Sequence, residues 1–200
     1  MDAWQSTGAT ADLLFGVDND DPTLAEYVAL GTHIAVGPRI KIGPTLNFLA
    51  MKNVERYDAI GFMGDDHLPI THEWDKKITE ELERLGTGIV YGNDLLQGEM
   101  IPTAVFMTAD IVKALGYFCP PTLLHMYLDN SWKDWGQGAD CLRYLPDVII
   151  EHMHPGTGKG SFDSVYAESN ILMTPDHTRY LEYRDAFLQD DIAKIRAIRD

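Results

Sequence analysis

Asp65, Asp66 and His67 stand side by side at the end of an apolar run, Ala59-Ile60-Gly61-Phe62-Met63, closed by Gly64. Two carboxylates and an imidazole crowded together repel or desolvate one another unless something cationic joins them. A divalent metal carrying a phosphate ester is a cation of the right kind. The plain alternative is a turn, because Asp readily bonds its own backbone after a strand. The run itself reads as a buried strand. Open α/β sheets bind ligands beyond the carboxyl ends of their strands. The placement therefore suits a metal-dependent active site.

Other polar clusters follow apolar segments. Asp18-Asn19-Asp20-Asp21 precedes Pro22 and on its own reads as a turn or helix cap. Arg39 and Lys41 lie in a Gly/Pro loop, where solvated cations are the ordinary reading. His152 and His154 follow the apolar triplet Val148-Ile149-Ile150. Alternate residues at a strand end point to the same side. Imidazole ligates manganese or zinc more readily than magnesium. Asp129 sits among Tyr127, Leu128 and Trp132, with Asp134 further on. It either caps a helix or serves as a general base. An ordinary Asp, with a pKa of about 3.9, is a weak base at neutral pH. A partly apolar pocket raises that value and makes a better base.

The elements that must position these groups alternate between strand and helix. Strands are expected at 13–17, 32–36, 57–63, 88–91, 103–107 and 148–150. Helices are expected after Pro22 as far as Leu30, and over 46–54, 109–115 and 127–135. The clearest helix is capped by Thr71 and ended by Gly86, with Trp74, Ile78, Leu82 and Leu85 on one buried face. Residues 156–161 have a loop composition. Thr174 caps a C-terminal helical region, 174–200, with Pro175 at its first position and Asp176 in its first turn. The pattern predicts one α/β domain over 1–200, a mixed sheet flanked by helices.

The chain's 200 residues suit one sizeable domain. Its 31 Asp and Glu against 16 Lys and Arg give a formal charge of −15. Such a surface repels nucleic acid and anionic membranes. An anionic substrate then needs a metal or a few well-placed cations. Cys119 and Cys141 form no C-x-x-C pair and read as reduced cytosolic thiols, with a single disulfide left open. Met1-Asp2-Ala3-Trp4 does not open a signal peptide. No apolar run approaches the roughly 20 residues of a membrane span. A cytoplasmic location is expected.

The ordered clusters resemble the GT-A glycosyltransferases, especially family-2-like enzymes, over roughly residues 13–154. Phe62-Met63-Gly64-Asp65-Asp66-His67 resembles that family's D-x-D segment, here D-x-H. Ile101-Pro102-Thr103-Ala104-Val105-Phe106-Met107 resembles the strand leading to the acceptor side. The resemblance implies a nucleotide-sugar donor, UDP-sugar favoured, and Mn²⁺ or Mg²⁺. It implies that Asp18, Asp20, Arg39, Lys41 and Asp65 bind the nucleotide. Asp65, Asp66, His67 and His154 would hold the metal. Asp129 matches the catalytic base of inverting members. The family's opening strand is not matched, because Trp4-Gln5-Ser6 falls in the helix that follows it; an exposed strand edge is therefore expected. A nucleotidyltransferase is a second reading, although no G-x-x-x-x-G-K-[ST] loop occurs. A non-catalytic binding protein on the same scaffold is a third.

Overall fold

Helix α1 (Asp2–Ser6) opens the chain and is followed by β1 (Leu14–Asp18), α2 (Leu24–Ala29) and β2 (His33–Gly37). Then come α3 (Ile42–Asn53), β3 (Ala59–Phe62), β4 (His67–Pro69), α4 (Trp74–Leu85) and β5 (Ile89–Asn93). The second half holds β6 (Val105–Thr108), α5 (Ala109–Leu115), α6 (Leu128–Gly138), β7 (Leu142–His152), α7 (Ser164–Ala186) and α8 (Leu188–Arg199). This computed structural model describes residues 1–155, 158–159 and 164–199. The loop expected at 156–161 falls largely outside them.

Two sheets form. β1 and β2 pair in parallel, with Asp18 opposite Gly37. The larger sheet runs β3-β6-β5-β7-β4. Its β5–β7 pairing is parallel and its others are antiparallel. The architecture is a single mixed α/β domain, a mixed sheet flanked by helices, as the alternation of elements implied. Among the described residues, β1 pairs only with β2 and β3 only with β6.

The main core gathers Ile89, Val105 and Met107 of the sheet with Trp132 and Trp135 of α6 and Ile195 of α8. A second cluster packs Trp74, Ile78 and Leu82 of α4 on Val90, Val148 and Ile150. This is the apolar face read from helical spacing. Cys119 and Cys141 are both free and buried. No helix among the described residues is long and apolar enough to cross a membrane.

Several boundaries differ from expectation. α3 starts at Ile42, inside the expected Gly/Pro loop, because Lys41 adopts φ 74° and turns the chain. Gly43 then presses on the Leu123 carbonyl, 2.4 Å from where a Cβ would stand. Thr71 does not cap α4. Its hydroxyl donates to the Asp147 carbonyl at 3.1 Å and accepts from Ile149 N–H at 2.8 Å, and Glu73 takes the cap position. β7 extends well before Val148, over a stretch whose mixture of polar and apolar residues hides it from hydropathy. Its pairing with β5 defines it instead. Thr174 and Pro175 lie inside α7 and do not begin it. Asp176 is fully buried and accepts His125 N–H at 2.8 Å and Met126 N–H at 2.9 Å, so its carboxylate serves a neighbouring segment and not its own helix end.

Asp75 makes a similar clamp. It is buried at the start of α4 and accepts Thr10 N–H at 2.6 Å, Thr10 hydroxyl at 3.1 Å and Ala11 N–H at 2.8 Å. This pins the approach to β1. Burial is the largest influence on its carboxyl and pushes the pKa up, but these donors outweigh it and hold the pKa below the ordinary value. A depressed folded-state pKa stabilises above the unfolded carboxylate value and is lost as pH falls through the folded one. Asp75→Ala should cost about 1.5–3 kcal/mol at pH 7, since it removes hydrogen bonds to a charged carboxylate. Urea denaturation checks this. The gap between wild type and variant should narrow below the ordinary carboxylate range.

Candidate metal centre

Antiparallel pairing of β4 with β7 sets His67 opposite His152. Directly opposed residues project to one face of a sheet. The two imidazoles accordingly stack, with centroids 4.4 Å apart and planes 17° from parallel. Asp66 immediately precedes β4, and its carbonyl accepts Met153 N–H at 2.8 Å. Its carboxylate spans the two rings. Oδ1 lies 3.2 Å from His67 Nδ1, and Oδ2 lies 3.0 Å from His152 Nε2. Gly64 N–H donates to His67 Nδ1 at 3.1 Å. A Cβ on Gly64 would stand 2.7 Å from Asp66 Oδ1, so this close approach needs glycine.

Asp66, His67 and His152 each offer a ligand atom, and all of these lie within 4.8 Å of one another. Metal bonds of about 2.0–2.2 Å place neighbouring ligand atoms roughly 3.0–3.4 Å apart. The observed 3.0 and 3.2 Å separations fit. Among the described residues, His67 Nε2 and His152 Nδ1 are buried with no hydrogen-bond partner. They are the ring nitrogens opposite those beside Asp66, where a metal-bound histidine ordinarily donates to an outer partner. One carboxylate with two imidazoles suits manganese or zinc better than magnesium. Stacked rings aim their in-plane lone pairs along nearly parallel planes. A shared ion therefore requires one ring to tilt.

Two further carboxylates stand around this trio. Asp94 follows β5 and is buried. Its Oδ1 accepts the N–H groups of Leu96, Gln97 and Gly98 at 3.0, 2.7 and 2.8 Å, and its Oδ2 accepts the Thr103 hydroxyl at 2.8 Å. Burial pushes its pKa up, and these donors more than reverse the effect. Oδ2 lies 4.0 Å from His152 Nδ1. Sequence reading missed Asp94, although it shares with Asp65 the pattern of an acid just beyond an apolar strand. Asp129 lies in the first turn of α6 and is half-buried. Burial raises its carboxyl above the ordinary range. Backbone N–H groups and the charge of His152 partly oppose that rise, and the charge of Asp94 adds to it. Asp129 is thus within electrostatic reach of the histidine pair.

The remaining residues fall on the side of β1 and β2. Parallel pairing brings the acidic turn to the basic loop. Arg39 Nη1 lies 3.4 Å from Asp18, and Arg39 Nε lies 3.1 Å from Asp20. The Arg39 guanidinium holds the exposed Asp20 carboxyl below its usual range. Burial lowers the His125 pKa, and the Lys41 charge adds to that effect. Tyr27 of α2 is raised by burial and then by the charge of Asp65. Asp65 is therefore within electrostatic reach of α2.

His154 does not join the trio. Its ring meets that of His152 edge-on, at 5.3 Å and 86°. β7 ends at His152, so the rule that alternate residues share a face stops there. The residue that completes the cluster is His152, the other member of the late histidine pair. No family model matches the chain, and no curated protein matches it.

His152→Ala should weaken Mn²⁺ or Zn²⁺ binding by more than about 100-fold, beyond the usual cost of losing a group behind a ligand. His154→Ala should change it far less. Calorimetric titration of both variants decides which histidine is the ligand, and the reverse ranking would reassign the site to His154.

Proposed function

We propose that this protein transfers a sugar from a nucleotide-sugar donor, a UDP-sugar by preference, to an acceptor hydroxyl. What supports the reading above all is the cluster of Asp66, His67 and His152, inside the field of a carboxyl of raised pKa. Asp66, His67 and His152 would hold a divalent ion, manganese or zinc suiting this donor set better than magnesium. Such an ion offsets charge on a departing nucleoside diphosphate.

Asp129 acts as the general base and takes the acceptor hydroxyl's proton. Desolvation suits it to that task, because a carboxylate of ordinary pKa gains little by accepting a proton at neutral pH. Arg39, with Asp18 and Asp20 around it, frames the nucleoside end, and Lys41 adds a second cation there. Asp65, within electrostatic reach of α2 and next to Asp66 in the chain, would contact a ribose hydroxyl. In a chain with a net charge of −15, these few cations and the ion are what make an anionic donor welcome.

The test is release of UDP from a panel of UDP-sugars with Mn²⁺, with and without acceptors. Asp129→Asn should lower turnover by about 10²–10⁴-fold while nucleotide binding persists. Absence of both turnover and metal-dependent nucleotide binding in the wild type would reject the proposal. Full turnover in Asp129→Asn would remove that residue from its role.

A further inference from the structure

We infer that Asp94 is a positioning residue that holds His152 in the tautomer and orientation a divalent ion requires. The inference rests on the metal reading of Asp66, His67 and His152. It concerns how one of those ligands is controlled.

The two oxygens of Asp94 divide their duties. Oδ1 is occupied by the three N–H groups of Leu96, Gln97 and Gly98, which close the turn after β5. Among the described residues Oδ2 takes only the Thr103 hydroxyl, at 2.8 Å, and it is the oxygen that faces His152 Nδ1 at 4.0 Å. A carboxylate oxygen has two lone pairs, so Oδ2 has acceptor capacity left. The backbone ties these residues together as well, since His152 N–H donates to the Asp94 carbonyl at 3.0 Å. Asp94 is therefore anchored beside the ring it faces.

His152 Nε2 lies 3.0 Å from Asp66 Oδ2, which as a carboxylate can only accept. The proton of a neutral ring then sits on Nε2, leaving a lone pair on Nδ1. That lone pair is buried without a partner and faces a carboxylate oxygen. This is the wrong tautomer for an ion shared between Asp66 and Nε2. An ion bound through Nε2 takes the lone pair there and leaves the proton on Nδ1. Asp94 Oδ2 is the acceptor placed to receive it. Closing from 4.0 Å to a charge-assisted hydrogen bond of about 2.8 Å asks for roughly 1 Å of ring movement. On binding, the proton changes nitrogen.

The Asp94→Asn variant separates the two duties. Its amide oxygen can still accept the turn's N–H groups. Its NH₂ group would face Nδ1 and donate to it, which fixes the proton on Nε2. Zn²⁺ affinity, measured by competition with a chromophoric chelator, should fall by about 10–100-fold, the range for groups behind a histidine ligand. Thr103→Val keeps the carboxylate and should leave that affinity within about threefold of wild type on the same scale. Side-chain ¹⁵N NMR gives a readout that a merely structural role would not move. In the wild type, Zn²⁺ should shift the His152 proton from Nε2 to Nδ1; in Asp94→Asn the same shift should need about 10–100-fold more Zn²⁺. Unchanged Zn²⁺ affinity in a folded Asp94→Asn, with the wild type binding normally, overturns this inference and leaves the metal site standing. Should Asp94→Asn fail to fold, the wild-type spectrum decides, and zinc found on Nδ1 overturns it. A wild type that binds no Zn²⁺ overturns the metal reading and this inference with it.

Discussion

The pairing of β4 with β7 is the constraint on which the candidate site rests. Only that register sets His67 against His152 and lets Asp66 reach both rings. A slip of one residue would send His152 to the opposite face of the sheet. The register is held from both ends. On one side the Thr71 hydroxyl accepts Ile149 N–H and donates to the Asp147 carbonyl, while Ile70 N–H bonds the Ile149 carbonyl at 3.0 Å. On the other, Met153 N–H bonds the Asp66 carbonyl. Between them, Ile150 is buried in the second core cluster. Apolar packing thus fixes a polar contact that would otherwise be unfavourable.

The chain's acidity is in part structural. Asp75, Asp94 and Asp176 are all buried, and each accepts backbone N–H groups, Asp75 and Asp176 from another segment and Asp94 from its own turn. A carboxylate that gathers several backbone donors rigidifies the turn it serves. These three turns lead into β1, follow β5 and precede α6. β1 ends at the acidic turn, Asp94 itself supplies the oxygen facing His152, and α6 carries Asp129. The same residue type therefore appears both as scaffold and as candidate chemistry. Placement among donors distinguishes the two roles. Asp66 faces imidazoles, whereas Asp75 and Asp176 face backbone amides.

Much of the arrangement was legible in the residues. The apolar run before Asp65-Asp66-His67 marked β3, and two of those three residues fall in the group that could hold a metal ion. The α4 face followed from helical spacing, and α5 from its Gly116 stop. Asp18, Asp20 and Arg39 were named separately, and the parallel β1–β2 pairing joins them. What stayed hidden was set by tertiary contacts. The length of β7 depends on β5 and not on its own hydropathy. The choice of His152 over His154 depends on where the strand ends. Thr71 and Asp176 look like helix caps, yet their side chains bond other segments. Asp94 resembles a turn residue because it is one, and only its second oxygen faces the histidine pair.

The most direct measurement is anomalous diffraction from crystals soaked in Mn²⁺. The ion should appear within about 2.3 Å of an Asp66 oxygen and of one nitrogen from each of His67 and His152, as ligand bonds of this class require. The two rings should no longer be stacked. An ion bound elsewhere, or strong anomalous density at His154 with His67 and His152 still face to face, would contradict the convergence on which the functional reading depends.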